Sequence, residues 1–321
     1  MDFIKEYTFF LEKELENIKF PSSPANLYDP LSYFLTLGGK RMRPMATLIA
    51  GDLFGVGVEK TKYAALSVEL FHNFSLIHDD IMDKAPLRRG KETVHQKWNE
   101  NIAILSGDVL FVKAYELLSK NEIKYLPPLL ECFNRTAVEV CEGQQLDMDF
   151  EQREDVTLDE YINMIRLKTS VLLGAAFEMG AIIGEASEEN IKNIYAFGVN
   201  LGIAFQIQDD LLDLYGASEK VGKQKGGDIL ADKKTILSIL AKSNANNLQL
   251  EELKDIQKEI NNDRKIERTL NLFETLNVKE KCISVMEDYY SKAKKSQDAI
   301  ETNNSKDKLI SLFKILQQRQ Y

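Results

Sequence analysis

Two aspartate clusters carry the strongest chemical signal in this sequence, Asp79-Asp80-x-x-Asp83 and Asp209-Asp210-x-x-Asp213. On a helix, residues four apart share a face, with Cβ atoms about 6 Å apart. The spacing therefore pairs Asp79 with Asp83 and Asp209 with Asp213, while Asp80 and Asp210 point partly sideways. Like charges so placed cost a helix roughly 0.2–0.5 kcal/mol per pair. The sequence repeats this arrangement after two apolar stretches, Phe74-Ser75-Leu76-Ile77 and Ile203-Ala204-Phe205. A cation would offset the repulsion. Carboxylate oxygens are hard ligands, and Mg²⁺ commonly bridges them to phosphates. A single cluster in an acidic protein reads equally well as a solvated face; a second copy weighs against that. His72, His78 and His95 lack the other ligands a zinc site needs. The three cysteines, Cys132, Cys141 and Cys282, show no metal or disulfide spacing and fit a reducing compartment.

Cationic groups gather at other points along the chain. Gly38-Gly39-Lys40-Arg41-Met42-Arg43-Pro44 sets three of them at a loop-to-helix junction. There glycine permits close backbone approach, and a helix start favours anions. Leu87-Arg88-Arg89-Gly90 adds two guanidinium groups, whose planar donors match phosphate oxygens, just beyond the first cluster. Lys168-Thr169 and Lys233 add further donors. No Walker-type glycine loop is present, which argues against a nucleotide P-loop. The net charge of −9 argues against a nucleic-acid partner but not against small phosphates met one site at a time.

The elements that must position these groups read as helices. The last proline is Pro128, so the chain beyond it lacks the strongest helix breaker. Pro21, Pro24 and Pro30 mark an early connector, Pro44 a helix start, Pro86 the end of the first cluster, and Pro127-Pro128 the approach to a long apolar helix. Thr157-x-x-Glu160 predicts a capping box, and Ser187-Glu188-Glu189 another helix start. No alternating strand pattern stands out, and Gly216 to Gly227 reads as a loop. The expectation is all-α, a single domain over 1–321 with antiparallel helices around a central cavity. No apolar run could span a bilayer, and the first residues lack a signal-peptide layout, so the expected location is cytoplasmic.

Together these motifs resemble the trans-isoprenyl diphosphate synthase family, also called polyprenyl synthetases, across nearly the whole chain and in the family order. The matching residues are Gly39-Lys40-x-x-Arg43, His72, Asp79-Asp80-Ile81-Met82-Asp83, Leu87-Arg88-Arg89-Gly90, Gly143-Gln144, Lys168-Thr169, Phe205-Gln206-x-x-Asp209-Asp210-x-x-Asp213, Gly222-Lys223 and Lys233. The resemblance implies that Lys40, Arg43, His72 and Arg89 hold the diphosphate of isopentenyl diphosphate. Asp79, Asp83 and Asp209 would hold up to three Mg²⁺ on an allylic diphosphate, with Asp80 and Asp213 contributing directly or through water, and Asp210 counted with them among the metal residues. Arg88, Lys168, Lys223 and Lys233 would neutralise that same diphosphate, and Thr169 and Gln206 would sit beside the reacting carbon. In Asp232-Lys233-Lys234-Thr235 either lysine could serve, and the family spacing favours Lys233.

The chemistry so implied is cleavage of an allylic carbon–oxygen bond, attack by the isopentenyl double bond, and loss of a proton to the departing diphosphate. Phe74 lies five residues before Asp79, about 7.5 Å along a helix. With small Ser75 beside it, Phe74 resembles the cavity floor of a geranylgeranyl-forming enzyme; farnesyl or longer products are the alternative. A class I terpene cyclase would need no isopentenyl site, and a non-catalytic prenyl synthase subunit would usually lack intact aspartate motifs. Family membership also implies a homodimer.

Overall fold

The computed structural model describes residues 2–216 and 226–317. The chain is almost entirely helical, as its sequence leads one to expect. Helices α1 (Asp2–Glu16), α2 (Ala25–Thr36), α3 (Met42–Leu53) and α4 (Val58–Met82) come first. A two-stranded hairpin follows, β1 (Leu87–Arg88) and β2 (Lys91–Glu92). Next are α5 (Val94–Lys97), α6 (Glu100–Leu118), α7 (Leu126–Glu151) and α8 (Leu158–Ile165). A π-helical turn, Arg166–Ser170, joins α8 to α9 (Val171–Ile183). Then come α10 (Glu188–Tyr215), α11 (Gly227–Leu230), α12 (Ile236–Asn244), α13 (Asn247–Gln257) and α14 (Asn262–Thr275). The series ends with α15 (Val278–Ala299) and α16 (Asp307–Gln317).

Two compact units share these elements. One comprises Met1–Ala137, Leu172–Tyr195 and Ala299–Ser311; the other comprises Val138–Val171, Ala196–Asp298 and Leu312–Tyr321. Neither is a single consecutive stretch, and the chain passes from one to the other inside α7, α9, α10, α15 and α16.

Local sequence explains most boundaries. Thr157 caps α8 by the expected reciprocal bonds: its hydroxyl accepts from Glu160 N, and the Glu160 carboxylate accepts from Thr157 N at 2.9 Å. Ser187 Oγ accepts from Asn190 N at the start of α10. Pro30 departs from the connector reading, because it lies inside α2. The lost hydrogen bond is offset by burial of Pro30, Leu31 and Phe34 on the same helix. The hairpin also escapes the strand pattern, since its strands are two residues each. Its turn residues, Arg89 (φ 53°) and Gly90 (φ 74°), both have positive φ, as a tight two-residue hairpin turn requires.

The first unit contains a charged network in its interior. Arg41, only 3% exposed, enters α3 in a left-handed conformation. Its guanidinium donates to Glu69 (2.5 Å), to Glu12 (2.8 Å) and to the carbonyl of Leu35 (3.2 Å). Glu69 accepts a further bond from Asn73. Removing the cation would leave Glu69 buried without its counter-charge, a loss of about 3–5 kcal/mol. Arg41→Ala is therefore expected to lower the unfolding free energy by that order in urea titrations followed by circular dichroism. A change under about 1 kcal/mol would show that the network contributes little.

Candidate functional site

In the first unit, glycine geometry brings the predicted cations together. A Cβ on Gly39 would sit 3.0 Å from Arg89 Nη2 and 3.2 Å from Arg89 Cζ, so the guanidinium lies against the bare glycine backbone. Gly39 also has φ +154°, which disfavours any side chain. Arg43 Nη1 lies 3.2 Å from His72 Nε2. A guanidinium can only donate, so Nε2 accepts and the imidazole proton resides on Nδ1. Burial, followed by the charges of Arg43, Arg88, Arg89 and Arg41, holds the His72 pKa well below its usual value. The imidazole is thus neutral and leaves one N–H to offer. Lys40 is exposed at the same loop.

The first aspartate cluster closes α4. Asp79 lies in its last turn, and Asp83 is the C-cap, donating its N–H to Asp79 O at 2.8 Å. Carboxylates at this end face the negative pole of the helix dipole, which adds to their mutual repulsion. Asp80, 2% exposed, is gripped by Arg88 through two parallel bonds of 2.7 Å. Burial raises the pKa of its carboxyl while Arg88 pulls it down. Both oxygens of Asp80, a metal candidate by sequence, thus accept from a protein donor, which uses Nε and Nη2 of Arg88. Asp83 is exposed.

One turn back from His78 on α4, Phe74 belongs to an aromatic cluster larger than the sequence indicates. It stacks on Phe111 of α6 with centroids 4.9 Å apart, and its edge meets His78 at 4.7 Å. Phe71 and Phe133 of α7 meet at 5.3 Å, and Tyr115 meets Phe133 at 4.7 Å. The available sequence signal is the i, i+4 aromatic pair Phe111 and Tyr115. Ser75 turns its hydroxyl back onto His72 O.

In the second unit, Asp209, Asp210 and Asp213 lie in the last two turns of α10, again at the negative end of a helix. Asp210 is 6% exposed and accepts from Tyr161 Oη (2.6 Å), Gln206 Nε2 (3.2 Å) and Ile236 N (3.4 Å). Burial pushes its carboxyl pKa up to about 7, against the pull of these donors. Asp213 Oδ2 accepts from Asp228 N, which opens α11. The carboxylates of Asp210 and Asp213, like that of Asp80, therefore have protein donors.

Lys168 and Thr169 lie on the π-helical turn, an irregularity frequent at functional sites. Glycine lets two helices clamp this turn. A Cβ on Gly143 of α7 would fall 2.2 Å from Lys168 N, and one on Gly202 of α10 would fall 2.8 Å from Ser170 Cα. Lys168 Nζ donates to Asp147 at 2.5 Å, and Thr169 Oγ1 lies 3.5 Å from Gln206 Oε1. Lys168, Thr169, Gln206, Asp210 and Lys233 line one cleft of ≈ 140 Å³. Lys234 lines it too, but its ammonium is bound to Glu154 at 3.0 Å. Among the described residues Lys233 has no carboxylate within ion-pair distance. Lys223 lies outside the described residues.

The donor set suits a hard divalent cation. Among the described residues no three acidic, imidazole or thiol groups converge as a protein-only metal cage would require. Mg²⁺ characteristically binds one or two carboxylates together with substrate phosphates. No helix among the described residues is long and apolar enough to cross a membrane.

The clamp on the π turn makes a test. Gly143→Ala would drive a methyl group into the Lys168 backbone, where a rigid helix cannot yield. We expect a loss of about 1–3 kcal/mol of stability from such overpacking, measured by thermal unfolding. An unchanged melting temperature would show that the turn is not held by this contact.

Residues 24–274 match the sequence profile of the polyprenyl synthetase family. A protein from Geoglobus acetivorans named geranylgeranyl pyrophosphate synthase is 34% identical over 325 residues, covering 100% of this chain and 99% of its own. A geranylgeranyl diphosphate synthase from Methanosarcina mazei is 42% identical over 243 residues, 75% of each chain. A crystal structure of geranylgeranyl pyrophosphate synthase superposes with a TM-score of 0.93 at 42% identity, covering 99% of both chains. The match to this profile and these likenesses along the whole length establish that the chain belongs to the polyprenyl synthetase family and is an enzyme, a trans-prenyltransferase.

Proposed function

We propose that this enzyme joins isopentenyl diphosphate head-to-tail to an allylic diphosphate in a Mg²⁺-dependent reaction, releasing diphosphate and forming geranylgeranyl diphosphate (C20). Two different sets of candidate anion-binding residues support this reading. One, Lys40, Arg43, His72 and Arg89, is cationic or neutral, with Arg89 laid on Gly39 and Arg43 on His72. It suits a diphosphate bound without metal, that of isopentenyl diphosphate. The other, which by resemblance draws on the aspartate clusters, Arg88, Lys168 and Lys233, would suit an allylic diphosphate bound through metal. Lys223 belongs to this set by resemblance.

In this reading Asp79, Asp83 and Asp209 are the Mg²⁺ ligands, for as many as three ions. Asp80, Asp210 and Asp213 act through their protein partners or through water. Bound Mg²⁺ would supply neutralisation of charge on the leaving diphosphate. Lys168 and Lys233 add fixed positive charge to the same group. The allylic carbon–oxygen bond breaks, the isopentenyl π electrons form the new carbon–carbon bond, and the released diphosphate accepts the lost proton. The oxygens of Thr169 and Gln206 face the carbon that becomes positive. Phe74, stacked on Phe111, stops the growing tail.

The arrangement we propose is a cytoplasmic homodimer, with 1–321 acting as one synthase domain. Leu105 (57% exposed) and Val112 (64% exposed), seven residues apart on α6, support a face for a second copy.

Incubation with isopentenyl diphosphate, Mg²⁺ and a series of allylic primers tests the reading directly. Condensation should stop on chelation and fall by at least about 100-fold in Asp79→Ala and in Asp209→Ala, with the fold retained. Near-normal turnover of either variant at saturating Mg²⁺ would remove the metal assignment. Consumption of the allylic substrate alone would indicate a cyclase instead. Phe74→Ala should lengthen the product, as read by chromatography; an unchanged distribution would exclude Phe74 as the floor.

A further inference from the structure

We propose that Tyr161 and Asp210 are positioning residues that fix which end of the Gln206 amide faces the reacting carbon. The inference rests on the proposed function and assigns two residues a task that neither the aspartate motif nor the metal reading contains.

An amide side chain can present either an oxygen or an NH₂ to a given neighbour, and only its partners decide which. Gln206 Nε2 lies 3.2 Å from Asp210 Oδ1. Oδ1 accepts in this contact, so the NH₂ faces Asp210. The amide oxygen is then turned the other way, toward Thr169 Oγ1 at 3.5 Å, on the wall of the cleft that both residues line. That oxygen is the negative end of the amide dipole. Directed at a carbon that becomes positive, it stabilises the transition state; the reversed amide would oppose it.

The carboxylate is itself held. Asp210 Oδ2 receives the Tyr161 hydroxyl at 2.6 Å and Ile236 N at 3.4 Å. Two donors on one oxygen leave the other for Gln206. Tyr161 is 2% exposed and has no freedom to turn its hydroxyl elsewhere without repacking. The chain of contact is therefore Tyr161 to Asp210 to Gln206 to Thr169, linking α8, α10 and the π turn.

Amide chemistry gives a test that a merely structural role would not satisfy. In Asp210→Asn, the two donors on the Oδ2 side require the new amide oxygen there, so the new NH₂ faces Gln206. Gln206 must then reverse and present its own NH₂ to the cleft. Adding Gln206→Glu corrects this: one oxygen of the introduced carboxylate accepts from the introduced amide, and the other returns to Thr169. The full-length chain and its variants would be assayed with isopentenyl diphosphate, an allylic primer and Mg²⁺. The readouts are kcat, both KM values, the Mg²⁺ concentration for half-maximal rate and the melting temperature.

We expect Asp210→Asn to lower kcat by about 100-fold with both KM values changed by less than about threefold, the pattern of a contact made in the transition state. Tyr161→Phe should lower kcat by about tenfold, and the double variant should recover at least about tenfold over Asp210→Asn. The inference is overturned if Asp210→Asn keeps wild-type kcat, or if the double variant is no better than the single one. It is also overturned if Asp210→Asn regains full kcat at high Mg²⁺, which would make Asp210 a metal ligand. Absence of condensation by the wild-type chain would overturn the functional reading and this inference with it. Normal wild-type turnover with a failed rescue would overturn the inference alone.

Discussion

A carboxylate at the C-terminal end of a helix faces the negative pole of the backbone dipole, and this chain places three at the end of α4 and three at the end of α10. Repulsion within each cluster and with the dipole acts in the same direction. The fold neutralises part of this charge internally. Arg88 takes both oxygens of Asp80, and Tyr161, Gln206 and Ile236 N take those of Asp210. The inner aspartate of each pair thus becomes part of the scaffold. In the proposed function Asp79, Asp83 and Asp209 meet a metal–diphosphate ligand.

A similar division governs the cationic groups. Arg41 and Arg43 are two residues apart, yet Arg41 turns inward to Glu69 and Glu12 while Arg43 meets His72. Clustered guanidinium groups repel, and after burial their charges are the next cause of the neutral state of His72. Missing side chains do as much as present ones. Gly39 makes room for the Arg89 guanidinium, and Gly143 and Gly202 let α7 and α10 close on the turn bearing Lys168 and Thr169. The groups on that turn are held by backbone contact, which is stiffer than contact between long side chains.

Much of this is legible in the order of the residues alone. The all-α fold follows from helical periodicity and from the absence of proline after Pro128, and the Thr157 capping box forms as its spacing implies. Pro30 misleads because a proline's local cost is visible in the sequence, whereas the burial of Leu31 and Phe34 around it is not. The hairpin at Arg89-Gly90 stays hidden because two-residue strands have no alternation to detect. Phe111 escapes notice because its partner, Phe74, is 37 positions away on another helix.

The sequence by itself determined the inventory: which residues carry charge, that the aspartates recur four apart, and that glycines stand beside the cations. These are properties of residue type and local spacing, which a helix converts directly into shared faces. Only the tertiary structure decided which partners these groups meet. The motif treats Asp79 and Asp80, or Asp209 and Asp210, as equivalent neighbours, but Arg88 and Tyr161 commit the second of each pair. The fold likewise pairs the Lys234 ammonium with Glu154. The physical reason is that hydrogen bonds and ion pairs form with whichever partner the fold brings within about 3 Å, and chain separations of 8, 49 or 80 residues do not encode that distance.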